Sequence, residues 1–172
     1  MKLEAASAVH PRGLRALLKD LGNGESGFGG TPFASYESTI EEFVDACVRA
    51  ADPTQVRAGR VPQTTFWLLD EDGEAVGMAR VRHHLNEGLR EHGGHIGFFV
   101  RSDRRGRGYG KALLQLALLE LRALGETRAL ITTDEDNARS RGVVKANGGQ
   151  RARDGSRTES DEPTLRYWIE LG

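Results

Sequence analysis

The sequence predicts an α/β domain in which a β-meander is followed by a β-α-β-α-β run. Three observations carry this. The spacing of apolar residues switches between the helical and the alternating period along the chain, giving the order β-α-α-β-β-β-α-β-α-β. The 172 residues suffice for one full hydrophobic core and would leave two independent cores cramped, so the reading is a single domain over 1–172. Hydrophobic residues make up 38% and charged residues 28%, the balance of a globular chain rather than a disordered one.

Lys2 to Ala8 reads as a short first strand. Pro11 opens a helix with Leu14, Leu17, Leu18 and Leu21 at helical spacing, and Gly22 stops it. Residues 22 to 37 hold five glycines and read as a long loop, of a length that functional loops often have. Ser38 with Glu41, and Thr39 with Glu42, form two overlapping capping boxes. The helix they open carries Ile40, Phe43, Val44, Cys47, Val48 and Ala51 as an apolar stripe, and Asp52-Pro53 ends it. Cys47 lies in that stripe with no histidine near it in sequence, so it reads as a small core hydrophobe and not as a nucleophile.

Thr64 to Asp70 reads as a strand, Glu71-Asp72-Gly73-Glu74 as a hairpin turn, and Ala75 to about Leu85 as the returning strand. Alternation puts Val76, Met78, Arg80, Arg82 and His84 on one face, and Gly77, Ala79, Val81, His83 and Leu85 on the other. After Gly93-Gly94, the apolar run from His95 to Val100 reads as a strand buried on both sides. A long helix follows from about Gly108 to Leu124, ended by Gly125. A short central strand spans Ala129 to Thr133, a helix runs from near Asn137 to Gly148-Gly149, and the alternating tail Leu165 to Leu171 closes the sheet.

Composition narrows the function. No run of about eighteen apolar residues is present, which excludes a membrane span. Met1-Lys2-Leu3-Glu4 carries an early acid and no apolar segment of the signal-peptide kind. The one cysteine permits no internal disulfide, no Cys/His cluster has zinc spacing, and so the expectation is a cytoplasmic protein without a metal. With 24 cations against 25 acids the net charge is −1, which gives no reason to expect nucleic acid as a partner. The cations nonetheless cluster, with Arg101, Arg104, Arg105, Arg107 and Lys111 in one short stretch.

That stretch carries the chemistry. A buried strand ends at Val100, a glycine-rich turn follows, and a long helix begins. Glycines let the backbone approach a ligand and aim successive N–H groups at one point. The helix N-terminus adds partial positive charge, and Arg104, Arg105, Arg107 and Lys111 add full charges. A polyanion, most simply a pyrophosphate, suits such a place. The P-loop pattern fails, because Ala112 stands where a hydroxyl must reach magnesium and Arg105 stands where the first glycine must be. The dinucleotide pattern fails as well, because position 111 is Lys. The pattern that fits is [RQ]-x-x-G-x-[GA], as Arg105, Gly108 and Gly110.

Further along, a strand leads into Asp134-Glu-Asp-Asn137-Ala-Arg-Ser140, which opens a helix closed by Lys145-Ala-Asn147-Gly-Gly. The two segments at this separation resemble the acyl-CoA N-acyltransferases of the GNAT superfamily, over roughly residues 63 to 171. Arg82-His-His-Leu-Asn-Glu87, Gly93-Gly-His-Ile-Gly97 and Arg166-Tyr-Trp-Ile169 resemble a bacterial subgroup of predicted acetyltransferases. The resemblance implies a mixed, mostly antiparallel sheet, splayed at its central strands and flanked by helices. It implies acetyl-CoA as co-substrate, in the wedge between the strand ending at Val100 and the strand ending at Thr133. The backbone of Phe98, Phe99 and Val100 is then expected to pair with the pantetheine arm. The amides of Arg105, Gly106, Arg107, Gly108, Tyr109 and Gly110 are expected to hold the pyrophosphate, with Lys111 or Arg104 at the 3′-phosphate. Asn137 is expected to hydrogen-bond the pantetheine region, and Ser140 to lie near the cofactor.

The implied reaction is direct attack of an amine of a small molecule or peptide on the thioester. Many relatives protonate the leaving thiolate with a Tyr seven residues after the Asn. Here that position is Val144, which leaves Ser140, a water, or no acid at all. His95, near where some relatives hold a Glu, is the candidate base; its alternative is a polar strand-end residue with a structural hydrogen bond. Arg82, His83, His84 and Asn86 are expected to shape the acceptor pocket. Arg80 and Arg82 favour an acceptor bearing a carboxylate or phosphate if they face the site, and are an arginine pair on a solvated sheet face if they do not. A non-catalytic acyl-CoA-binding or regulatory module on the same fold is the second reading, kept open by the missing Tyr. Relatives are often dimers, so the resemblance admits a homodimer.

Overall fold

The computed structural model describes residues 1–26, 28–29, 39–152 and 164–172. Among them two antiparallel sheets meet at one end. The first has the order β1 (Lys2–Ala5), β4 (Gln63–Leu69), β5 (Ala75–Arg82), β6 (Ile96–Val100). The second has the order β7 (Arg128–Asp134), β9 (Thr164–Glu170), β8 (Gln150–Arg151). A two-stranded hairpin, β2 (Gly24–Glu25) with β3 (Phe28–Gly29), lies inside the stretch read as a loop. The helices are α1 (Leu14–Leu21), α2 (Ile40–Ala51), α3 (Glu87–Glu91), α4 (Tyr109–Ala123) and α5 (Ala138–Ala146).

Local chemistry accounts for the ends of these elements. Thr39 Oγ1 accepts from the Glu42 backbone N–H at 3.2 Å while Glu42 Oε2 accepts from Thr39 N–H at 2.8 Å, so that capping box opens α2. The Ser38/Glu41 box and residues 30–37 of the loop reading lie outside the described residues. α1 starts at Leu14 behind Gly13, whose φ of 77° makes it the cap, so Pro11 lies ahead of the helix instead of opening it. Asp70 Oδ1 accepts from the N–H groups of Asp72 and Glu74, at 3.1 and 2.9 Å, and so closes the β4–β5 turn.

The β4–β5 register shifts between Leu68, opposite Gly77, and Leu69, opposite Ala75, which leaves Val76 as the extra residue of a bulge. Val76 therefore packs with Ala79 and Val81, not with Met78 as simple alternation expects. β5 also ends at Arg82, short of Leu85; His83 N–H donates to Pro62 O at 2.9 Å and the chain then turns into α3.

α4 buries Leu113, Leu114, Ala117 and Leu121 against one side of β5 and β6, in a core that continues through Ile131, Val144, Leu165 and Tyr167. On the other side Leu14, Leu17 and Leu18 of α1 and Phe43, Val44 and Cys47 of α2 pack around Trp67 and Met78. Val48, one residue beyond that arc, stays exposed and leaves the expected stripe. Among the described residues no helix is long and apolar enough to cross a membrane.

The two sheets join at the start of β6. His95 N–H donates to Leu130 O at 2.7 Å, Leu130 N–H donates to His95 Nδ1 at 2.8 Å, and Gly93 N–H donates to Thr132 Oγ1 at 2.9 Å. Beyond this seam β6 pairs with β5 and β7 pairs with β9, with no ladder between β6 and β7 among the described residues. The expected splay is thus present, and an imidazole stands at its apex in place of a backbone acceptor.

Candidate active site

The opening between the sheets holds two cavities, of about 680 and 490 Å³, that share Ser26, Phe28, Phe98 and Ser140 as wall residues. The larger follows β6 to the start of α4.

The turn between β6 and α4 is clamped from behind. Arg101, itself 7% exposed, donates to Asp103 Oδ1 at 2.7 Å and to Glu74 Oε1 at 2.8 Å. Arg104 Nη2 donates to Glu74 Oε2 at 2.7 Å, and Asp20 accepts from both the N–H and the hydroxyl of Ser102 at 2.6 Å. Gly106 and Gly108 have φ of 78° and 83° with open space where a Cβ would be, so conformation and not crowding calls for glycine. Gly108 caps α4, and the first-turn amides of Tyr109, Gly110 and Lys111 are left without intrahelical acceptors. A Cβ on Gly110 would lie 3.1 Å from Val143, which marks the close approach of α4 and α5.

Phe98, Phe99, Val100, Arg105, Gly106, Gly108, Gly110, Lys111, Asn137 and Ser140 all line the larger cavity. Arg107 and Tyr109 belong to the same turn without lining it, and Arg104 does not line it either: Glu74 and Asp70 hold its guanidinium. Arg105 is a strut. Its Nη atoms donate to Glu25 at 2.9 and 2.6 Å, its Nε donates to Val100 O at 2.9 Å, and the guanidinium lies 5.3 Å from the Phe99 ring centroid. It thereby fastens the β2–β3 hairpin over the cavity, while the Phe28 ring lies on Gly97 of β6. Asn137 Oδ1 accepts from Ser140 N–H at 3.0 Å and caps α5, leaving Nδ2 as its remaining donor group. Val144 is fully buried in the core behind this wall.

The smaller cavity is lined by Arg80, Arg82, Thr132, Thr133, Asp134 and His92, among others. Arg82 Nη1 donates to the carbonyls of Gly93 and Gly94 at 2.9 and 3.1 Å, and burial, then the neighbouring Arg80, pushes its pKa down to about 10. Arg80 donates to Gly29 O at 3.0 Å, lies 4.5 Å from the Phe28 ring centroid, and is lowered by burial as well. Of the expected acceptor residues only Arg82 reaches this cavity. His83 pairs with Thr64 Oγ1 at 2.8 Å, His84 is exposed, and Asn86 caps α3 and donates to Gly59 O at 3.0 Å. The cause is the early end of β5, which turns residues 83–86 away from the wall.

His95 borders neither cavity among the described residues. It is 2% exposed, and burial, helped by Arg90, Arg82 and Arg128, pushes its pKa down to about 4. Its Nε2 lies 3.7 Å from Glu126 Oε2, a contact that counts as an ion pair only for a charged ring. A charged ring has no lone pair at Nδ1 for Leu130 N–H, so the ring is neutral with its proton on Nε2. Nδ1 is thus committed to the seam and the ring is buried away from both cavities, which runs against the expected role of base.

Sequence reasoning missed Ser26 and Phe28, which roof both cavities, and Thr133 and Asp134, which wall the smaller; the glycine-rich loop was the one signal for the roof. Among the described residues no group of three or more His, Cys, Asp or Glu is placed to hold a metal ion.

Comparison with known proteins adds an independent line. Among curated proteins no sequence match to the chain is found. An N-acetyltransferase from Staphylococcus aureus Mu50 superposes with a TM-score of 0.63 over 99% of this chain and 98% of its own, at 16% identity. A GNAT superfamily phosphinothricin acetyltransferase from Sinorhizobium meliloti, in complex with AcCoA, gives 0.64 over 99% and 88%, at 21% identity. A ribosomal-protein-alanine N-acetyltransferase from Brucella melitensis gives 0.64 over 99% of both chains, at 16% identity. At these identities the likeness establishes the fold. The family model described as acetyltransferase (GNAT) family matches residues 34–148, more than half of the chain and including the glycine turn and the Asn137 cap. With the splayed sheets and the turn between them, this makes the chain a member of the GNAT acetyltransferase family.

Proposed function

We propose that the chain moves the acetyl group of acetyl-CoA to the primary amine of a small molecule or peptide, by direct attack in a ternary complex. The observation that carries this reading is the junction of the cavities. Phe98 and Ser140 border both, so a thioester laid along β6 in the larger ends where an amine enters from the smaller.

The residues of the larger cavity fit the co-substrate on their own geometry. The amides of Tyr109, Gly110 and Lys111 suit a pyrophosphate, and the Lys111 ammonium suits a further phosphate. Along β6 the Val100 carbonyl goes to Arg105 and not to β5. Alternation then turns the backbone of Phe98 to the same open edge, which suits the amides of a pantetheine arm. Asn137 Nδ2 adds a donor at the wall.

Bound acetyl-CoA supplies an activated carbonyl and a stable thiolate leaving group. This chain's residues do the rest. Phe98 N–H, at the open edge, donates to the carbonyl oxygen as it gains charge. Arg80 and Arg82 hold positive charge in the acceptor cavity, which disfavours the ammonium form of the incoming amine, and Asp134 takes up its proton. Ser140 protonates the departing sulfur, because Val144 points into the core and leaves no acid at the position where many relatives place a Tyr.

Incubation of the full chain with acetyl-CoA and a panel of amines, followed by free thiol release, tests this. Amine-dependent thiol release is expected. Tight CoA binding with no release for any amine would instead support the non-catalytic module.

A further inference from the structure

The arginines of this molecule fall into two groups. Arg101, Arg104 and Arg105, around the cofactor turn, each meet at least one carboxylate within 3.0 Å. Arg80 and Arg82 meet none among the described residues; their recorded partners are the carbonyls of Gly29, Gly93 and Gly94 and the Phe28 ring. Asp134 and His92 are the other ionisable groups of that wall among the described residues.

Two neighbouring guanidiniums, partly buried on one face of β5, repel each other and lose hydration without a counter-charge. Each has five N–H donors, and the carbonyls use only some of them. The missing partner must accept several hydrogen bonds and carry negative charge.

Resting on the acetyl-transfer reading above, we infer that the acceptor is a small anionic amine, an amino acid or aminoalkyl phosphonate, whose acid group sits between Arg80 and Arg82. The volume of about 490 Å³ suits a molecule of that size. A planar, forked guanidinium pair suits a carboxylate or phosphonate better than two ammonium groups would.

The test uses the full chain with acetyl-CoA and pairs of amines: several α-amino acids and aminoalkyl phosphonates, each beside its uncharged amide or ester. The expected result is a kcat/KM at least about tenfold higher for the acid of each pair. In Arg80→Gln and Arg82→Gln that ratio falls towards one, and Arg82→Lys retains part of it. CoA affinity by calorimetry reports that the variants are folded. Equal or better turnover of the uncharged member, or a ratio unmoved by both Gln variants, overturns the inference. Calorimetry of the anionic amine against the CoA-bound protein separates the two readings. Binding that is lost in the Gln variants, with no thiol release in the parent, sustains the anion site and removes acetyl transfer; no preference for the acid in binding removes the anion site itself.

Discussion

Arg101, Arg104 and Arg105 stand beside the cofactor turn with Glu74, Asp103 and Glu25 against them, whereas Arg80 and Arg82 stand in the acceptor cavity with carbonyls and an aromatic ring. The difference follows from what reads the ligand on each side. On the proposed reading the main-chain N–H groups at the start of α4 would face the ligand in the larger cavity, and the nearby charged side chains hold the turn in shape. In the smaller cavity the wall offers side chains, and its cations stay available to whatever enters. A site for an invariant nucleotide tail can be built into the backbone, while a site that selects among amines has to be built from groups that substitution can change.

The strongest way to break the backbone half of this contrast is Gly108→Glu. The residue has φ of 83°, where an L side chain costs about 1–2 kcal/mol, and the new carboxylate would face the phosphate position. CoA binding by calorimetry should be lost, and an unchanged Kd would remove the turn from the site.

The seam gives the next largest effect, and it concerns pH. Native His95 titrates at about 4 against the ordinary value of 6.5. Between these values the unfolded chain binds more protons, so stability rises with pH across the window. The contribution is fully present above pH 6.5 and lost as pH falls towards 4, with a size of at most about 3 kcal/mol. Denaturation midpoints at several pH values should show this slope, and His95→Gln, which keeps an acceptor for Leu130 N–H, should flatten it. Its pH–turnover profile between about pH 6 and 9 should keep the parent's shape, because the imidazole is neutral throughout that range. Loss of one limb of that profile would return His95 to the role of base.

What the sequence disclosed follows the same division. Arg105, Gly108 and Gly110 are contiguous, and the helix they precede is long, so the cofactor turn could be read from one stretch of chain. The acceptor cavity draws on β3, β5, β6, β7 and β9, and nothing local links Arg80 to Thr133 or to Phe28. His83, His84 and Asn86 looked like pocket residues because the alternation of β5 runs on through them in sequence; the strand ends at Arg82 because Pro62 O takes the last N–H. The inward turn of Val76 depends on a bulge in its own strand, set by the pairing with β4, and the state of His95 on a backbone N–H 35 residues away. Period and motif carry element type and the phosphate turn; register and long-range hydrogen bonds carry the rest.

A smaller effect sharpens the clamped side. Glu74 accepts from both Arg101 and Arg104, and Arg101 is nearly out of water. Glu74→Gln leaves Arg101 with Asp103 alone, and partial loss of a buried ion pair of this kind should lower stability by about 1–2 kcal/mol. Chemical denaturation should show the loss, with CoA affinity falling several-fold as the turn loosens. Stability equal to the parent's would mean that the carboxylates merely accompany the turn.

The mildest expected effect lies where the two cavities meet. Ser140 is placed there by the Asn137 cap, whose Oδ1 holds its N–H at 3.0 Å and so fixes the start of α5. The N–H of the backbone remains in Ser140→Ala, so the cap survives and only the hydroxyl goes. A thiolate is a fair leaving group, so the loss of a proton donor should lower kcat about tenfold, below the usual range for general acids, and leave the KM for acetyl-CoA nearly unchanged. The deficit should grow at high pH, where water is the poorer proton source. A rise in KM with kcat intact would make Ser140 a wall of the pantetheine channel, and would leave the departing sulfur to take its proton from solvent.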